Sequence, residues 1–325
     1  MASDRSPTGS RFGSVPGTLP GTLVGAHTEV HVTAVDADRR TARSMWTHYE
    51  PVHAVTYFHP RARAAYEAAG LRGYWRGYFA GRAAPLGPTG PAPVIAACYS
   101  FAPHMVTRAL PAVWQLATPD QALRSRLTGA VQALAELTYE LPERHLAEAA
   151  ELLEAAADSL GTGTDGLGTA GRVLGAANAA LPRGEYPLAR LWQAATTLRE
   201  HRGDGHVAAL VAADLDPVET LAWRVAVDMP PANLLGRGWS EQEWSQARER
   251  LADRGWLDAD GKPTEHGRAK FQAVEDATDL AATRPWRALG AERTERLREL
   301  LDPIARAAHT VIPPDSPIGL PPLQS

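Results

Sequence analysis

Residues Trp239 to Ala282 read "WSEQEWSQARERLADRGWLDADGKPTEHGRAKFQAVEDATDLAA". Ser240 is a helix cap, a hydroxyl placed to accept one of the backbone N–H groups that a helix start leaves without a partner. The helical pattern stops at Gly255. A short β segment with a turn at Asp260-Gly261 follows, and a further helix returns. Helix, helix, hairpin with a polar tip and returning helix is the order of a winged helix-turn-helix module.

Working outward, the remaining segments are helical. "PVETLAWRVAV" and "PLARLWQAATTLREHR" open on Pro217 and Pro187, residues suited to a first helical turn because they lack the N–H that goes unused there. Between these two, Gly203 reads as the end of one helix and Asp204 as the cap of the next. "PDQALRSRLTGAVQALAELTYEL" and "PERHLAEAAELLEAAADSL" carry amphipathic spacing. Pro51 is expected to interrupt the first helix, Pro60 to open the next and Gly70 to close it. The expected fold is mainly α, a multi-helix body with a winged helix-turn-helix module, with a tandem winged-helix arrangement as a variant.

The expected domains are a flexible tail over 1–35, an N-terminal helical domain over 36–160 and a Gly-rich linker over 161–171. A helical segment over 172–236, the winged module over 237–310 and an extended, unpacked tail over 311–325 complete the chain.

The chain has 325 residues, 44% of them hydrophobic and 22% charged, the proportions of a globular protein. Its formal net charge of -4 supplies no global field to attract nucleic acid. One cysteine, Cys98, sits among apolar neighbours and reads as a buried thiol in a reducing compartment. No stretch approaches the roughly 20 apolar residues of a membrane span, and no signal peptide is apparent. The simplest expectation is a cytoplasmic protein with no membrane partner.

Three constellations could carry chemistry. In "HYEPVHAVTYFH", Glu50 and His53 stand three apart, the carboxylate–imidazole spacing of metal-binding bundles, with Tyr57 one turn on. No second such pair exists, so a ligand or catalytic role competes with simple capping and packing. In "LREHRGDGHVAAL", Glu200, His201, Asp204 and His206 are candidate metal ligands or acid/base groups, and Arg199 or Arg202 could bind an anion. No cofactor is expected from these patterns, although a metal between His53 and His206 is conceivable. Tyr74, Trp75 and Tyr78, with Arg82 nearby, form either core or a wall for a flat ligand.

The third constellation is the module itself. Arg248, Arg250, Arg254 and Lys262 are its candidate DNA contacts, but Glu243, Glu249, Asp253, Asp258 and Asp260 lie among them.

Three blocks together, "EPVHAVTYFHPRARAAYEAAGLRGYWRGYFAGRAAPLG", "TTLREHRGDGHVAAL" and "RGWSEQEWSQARERLADRGWL", resemble the SalK-like family of actinobacterial helix-turn-helix-containing proteins. The resemblance spans about residues 40–310. It implies a winged-helix-like architecture and kinship with proteins of natural-product (antibiotic) gene clusters, and it carries no reaction with it.

Two functions follow as expectations. One is a pocket for a small molecule of specialised metabolism, in which Glu50, His53 and Tyr57 converge with His201, Asp204 and His206. The other is a dimeric transcription regulator that binds DNA through the C-terminal wing.

Overall fold

Proline and capping residues set most of the helix starts in the computed structural model, which describes residues 24–161 and 168–321. The helices are α1 (Val24–Phe58), α2 (Pro60–Ala68), α3 (Tyr74–Ala83), α4 (Pro91–Cys98), α5 (Pro103–Thr107), α6 (Pro119–Leu137) and α7 (Glu143–Asp158). They continue with α8 (Val173–Ala179), α9 (Pro187–Ala212), α10 (Pro217–Val227), α11 (Glu241–Asp253), α12 (Glu265–Ala281), α13 (Arg284–Leu289) and α14 (Ala291–His309). Proline opens α2, α4, α5, α6, α9 and α10. Reciprocal capping boxes start α6 (Thr118 with Gln121), α10 (Asp216 with Glu219) and α11 (Ser240 with Glu243).

The chain divides into two units, Met1–Asp36 and Ala37–Ser325, and the second contains every candidate site residue. The boundary expected at residue 35 falls inside α1, and residues 162–167 of the expected linker lie outside the described residues.

Two expected helix breaks do not occur. Helix α1 runs through Pro51 to Phe58. An interior proline costs about 3 kcal/mol, but Met45, Tyr49, Val52 and Val55 around it are all buried in one core cluster with Leu153, Trp192 and Leu301. Burying a large apolar side chain is worth roughly 1.5–3 kcal/mol, so several together outweigh the kink.

Helix α9 likewise runs unbroken through Gly203 and Gly205. Gly203 ends no helix and Asp204 caps no continuation of α9. A Cβ at residue 205 would overlap the Arg172 guanidinium, which lies across the helix and donates to the carbonyls of His201 (3.1 Å) and Ala281 (3.1 Å). The glycine serves a close approach rather than a turn.

The core divides into a main cluster among α1, α6, α7, α9, α13 and α14 and a second among α2 to α5 with the start of α6. A third gathers Leu210 of α9, Val218, Ala222 and Trp223 of α10, Ala247 and Leu251 of α11, then Trp256, Leu257 and Val274. This third cluster spans the stretch that the sequence pattern assigns to a helix-turn-helix module.

The expected strand is reduced to one antiparallel bridge, Leu257 to Pro263, the only β pairing among the described residues. A second wing therefore has no counterpart among them. Asp258 shapes the turn itself: its Oδ1 accepts from the N–H of Asp260 (2.9 Å) and of Lys262 (2.9 Å). Of the segment expected to trail unpacked, Ile312 and Ser316 are buried, and Asn233 Nδ2 donates to the Ser316 carbonyl at 3.1 Å.

Candidate functional site

Helix α9 presents different faces to different neighbouring helices, and that fixes which candidate residues meet. Positions three and four apart share a face. Trp192, Thr196, Arg199 and Glu200 look toward α1 and α3. His201 and Asp204 look toward α8, and Arg202 and His206 toward α12.

On the first face, four charges close a buried chain. Arg82 Nε and Nη2 donate to Glu200 Oε1 (3.1 Å) and Oε2 (2.7 Å), and Arg199 Nη1 donates to Glu200 Oε2 at 2.8 Å. Arg199 Nε reaches Glu50 Oε1 at 3.4 Å, and Glu50 Oε2 accepts from Trp46 Nε1 at 3.1 Å. Arg82 Nη1 also donates to the Tyr78 hydroxyl (3.3 Å) and to Cys98 Sγ (3.3 Å).

His53 completes this face without touching Glu50. Its Nε2 lies 2.9 Å from the Tyr57 hydroxyl, and its Nδ1 lies 3.0 Å from Thr196 Oγ1. The expected His–carboxylate pair is thus replaced by a His–Tyr pair, because two arginines draw both carboxylates to themselves.

Burial and charge set the protonation states. Burial, reinforced by Arg199, holds His53 well below its ordinary value, so it is neutral at pH 7. Burial pushes the Tyr57 phenol well above its usual range, against the pull of Arg199 and Arg82. Burial opposes ionisation of Glu200, yet Arg199 and Arg82 hold its carboxyl well below the carboxylate range. The Cys98 thiol is buried and free, and burial pushes its pKa up.

The other two faces hold the remaining candidates apart from this chain. His201 Nε2 lies 3.0 Å from the Gly168 carbonyl, and burial lowers its pKa to about 4. Asp204 Oδ2 accepts from the Gly175 N–H at 2.8 Å, so it caps α8 from a neighbouring helix, and burial raises its pKa to about 6. Arg202 pairs with Asp279 at 2.8 Å and lies over the Trp46 ring. His206 Nδ1 lies 3.0 Å from Thr278 Oγ1, and burial lowers its pKa to about 4.

His53 and His206 thus bond to different helices and do not form the conceivable metal pair. Among the described residues no three His, Cys, Asp or Glu side chains converge as a metal site would require.

A shallow cleft opens to solvent beside the buried chain, its roughly 340 Å³ of free space including open solvent. Its lining includes Thr56, Tyr57, Tyr66, Tyr74 and Tyr78, with Arg63 and Glu67 among the other residues. The Tyr57 and Tyr78 rings stand 5.2 Å apart, and those of Tyr74 and Tyr78 6.0 Å apart. Of the expected aromatic wall, Trp75 lies behind the cleft lining, its ring edge-on to Tyr74 (5.0 Å) and Tyr78 (5.6 Å) and packed on Phe79 and Phe101 under Arg108.

In the stretch expected to form the winged module, two of the four candidate DNA contacts are engaged within the chain. Arg250 Nε donates to Glu219 Oε1 at 2.9 Å, and Arg250 also pairs with Asp216. Arg254 donates to Glu219 Oε2 (2.7 Å) and to the Asp214 carbonyl (2.7 Å), stacked on Trp256. Arg248 and Lys262 are exposed.

Sequence reading missed Arg126, Tyr66 and Thr196. Arg126 of α6 shares the buried face of Ala122, Gly129, Ala130 and Ala133. A cation placed at helical spacing within a row of small residues is the signal that could have found it.

A mainly helical protein with one short β-bridge among the described residues is the class that these elements define. The chain belongs to the helix-turn-helix family, which it matches over residues 42–313. No curated protein and no solved structure matches it. No helix among the described residues is long and apolar enough to cross a membrane.

Proposed function

We propose that this helix-turn-helix protein binds a small organic molecule, an intermediate of specialised metabolism, in the tyrosine-lined cleft. One observation carries the reading. Tyr57 lines the cleft, and its hydroxyl is hydrogen-bonded to the buried, neutral His53 at 2.9 Å. A ligand hydroxyl meeting Tyr57 would extend the Tyr57–His53 hydrogen-bond chain, while the Arg82–Glu200–Arg199–Glu50 chain holds the helices behind it. Tyr74 and Tyr78 supply the flat apolar wall. The resemblance to proteins of natural-product clusters supports the choice of ligand class.

The test is a thermal-shift screen of planar aromatic alcohols and acids on the wild type, Tyr57→Phe and Tyr74→Ala. The reading requires compounds that stabilise the wild type and stabilise both variants less. A screen with no stabilising compound, or equal shifts in all three proteins, rejects it.

A second reading is DNA binding by a dimer through a winged module built on α11 and the Leu257–Pro263 hairpin. Membership of the helix-turn-helix family and the exposed Arg248 and Lys262 favour it. Fluorescence anisotropy on DNA from upstream of the protein's own gene tests it: Arg248→Ala and Lys262→Ala must weaken binding and flatten its salt dependence.

A further inference from the structure

Behind the cleft the buried charges do not sum to zero. Arg82 and Arg199 are matched by Glu200 and Glu50, and His53 is neutral. Arg126 is the fifth charge. It is 5% exposed, and its bonds run to neutral acceptors, the Gly81 carbonyl (3.0 Å) and Asn178 Oδ1 (3.0 Å). Its guanidinium lies over the Trp192 ring, and its Nε has no hydrogen-bond partner among the described residues.

The position of this cation relative to the cleft gives it a consequence. Gly81, to whose carbonyl Arg126 donates, lies so close to the Tyr66 hydroxyl that a Cβ there would overlap it. Tyr66 in turn lines the cleft with Tyr57. The unmatched cation is thus linked to the cleft lining through Gly81 and Tyr66. At the rim, Arg63 and Glu67 are exposed and opposite in sign, so they add no net field.

From this charge count and placement we infer that the cleft is built for an organic monoanion, an aromatic carboxylate. The inference rests on the cleft being the ligand site. A buried cation without a counter-ion is costly, and burial lowers the pKa of Arg126, as that cost requires. An anion bound against the cleft lining offsets the cost across a medium that screens far less than water. A neutral ligand of the same shape gains the stacking and the hydroxyl contact but leaves Arg126 unmatched. The protein's overall charge of -4 repels anions at long range, so a preference for one must come from this local excess.

The experiment is calorimetric titration of the full chain at pH 7.5 with 4-hydroxybenzoate and its uncharged counterpart, 4-hydroxybenzamide. The expected result is binding of both, with the acid tighter by at least about tenfold, as one partly screened unit charge allows. Arg126→Gln should bring the two ligands within about threefold while the amide's affinity is kept, and Arg126→Lys should retain the preference. If Arg126→Gln fails to fold, loss of the preference in Arg126→Lys, which keeps the charge, overturns the inference by itself.

Equal affinity of acid and amide for the wild type would overturn the anion preference and leave the cleft standing. A preference that persists in Arg126→Gln would remove Arg126 as its source. No binding of either compound at millimolar concentration would reject the cleft itself, and this inference with it.

Discussion

Arg82 on α3 and Glu200 on α9 meet through two parallel hydrogen bonds, at 3.1 and 2.7 Å, with both side chains out of solvent. The bidentate geometry repays the cost of burying the two ions only while both remain. Glu200→Gln strands Arg82 and leaves Arg199 with Glu50 alone. We expect it to lower unfolding free energy by about 3–5 kcal/mol, measured by urea denaturation. A double replacement, Arg82→Met with Glu200→Leu, should cost less than Glu200→Gln alone.

Tyr57→Phe removes the hydroxyl of a cleft-lining residue and one partner from His53 while keeping the ring. Its stability should fall by no more than about 1–2 kcal/mol, the worth of one buried hydrogen bond. Its affinity for a cleft ligand bearing a hydroxyl should fall by about tenfold. A variant that loses stability and keeps affinity would make Tyr57 a packing residue only.

The cations of α11 and the turn after it should divide by partner. Arg254→Ala leaves Glu219, itself 5% exposed, with one cation fewer and uncovers Trp256. A loss of about 2 kcal/mol is expected from it and somewhat less from Arg250→Ala. Arg248→Ala and Lys262→Ala should stay within about 0.5 kcal/mol. Thermal denaturation of the four variants side by side checks this.

Acid should destabilise the protein from near pH 6.5 downward. Burial holds His201 and His206 at about 4, so below the ordinary histidine value of 6.5 the unfolded chain takes up protons that the folded one refuses. Each group contributes up to about 1.4 kcal/mol per pH unit across that window. Asp204 acts with the opposite sign. Burial raises its pKa to about 6, so between there and its ordinary value of 3.8 the folded state binds the extra proton and gains stability as pH falls. Asp204→Asn, which keeps the acceptor for Gly175, should therefore make the acid loss steeper by up to about 1.4 kcal/mol per pH unit. Urea midpoints at several values between pH 4 and pH 7 give both slopes.

The helix starts were readable because their chemistry is local. Proline at a first turn and a hydroxyl or carboxylate at a cap act within three or four residues. The breaks expected at Pro51 and Gly203 rest on local preference too, and tertiary packing overrides it at both: α1 is buried around its proline, and Gly205 admits a side chain from outside the helix. The site was half readable for a related reason. Helix α9 is buried on nearly every side from Leu191 to Arg202, so its sequence carries no apolar stripe to tell one face from another. Glu50, His53, Tyr57, Tyr78, Arg82 and Arg199 do gather. His201, Asp204, Arg202 and His206 lie one or two faces away, and sequence proximity alone could not separate them.

The most direct test of the cleft as a ligand site is native mass spectrometry of the full chain after incubation with a metabolite extract of the cells that make it. Wild type and Tyr57→Phe are compared. The wild type should carry a small-molecule adduct that Tyr57→Phe retains only weakly. Apo mass for both proteins, or an adduct of equal abundance on both, would contradict a ligand held by Tyr57.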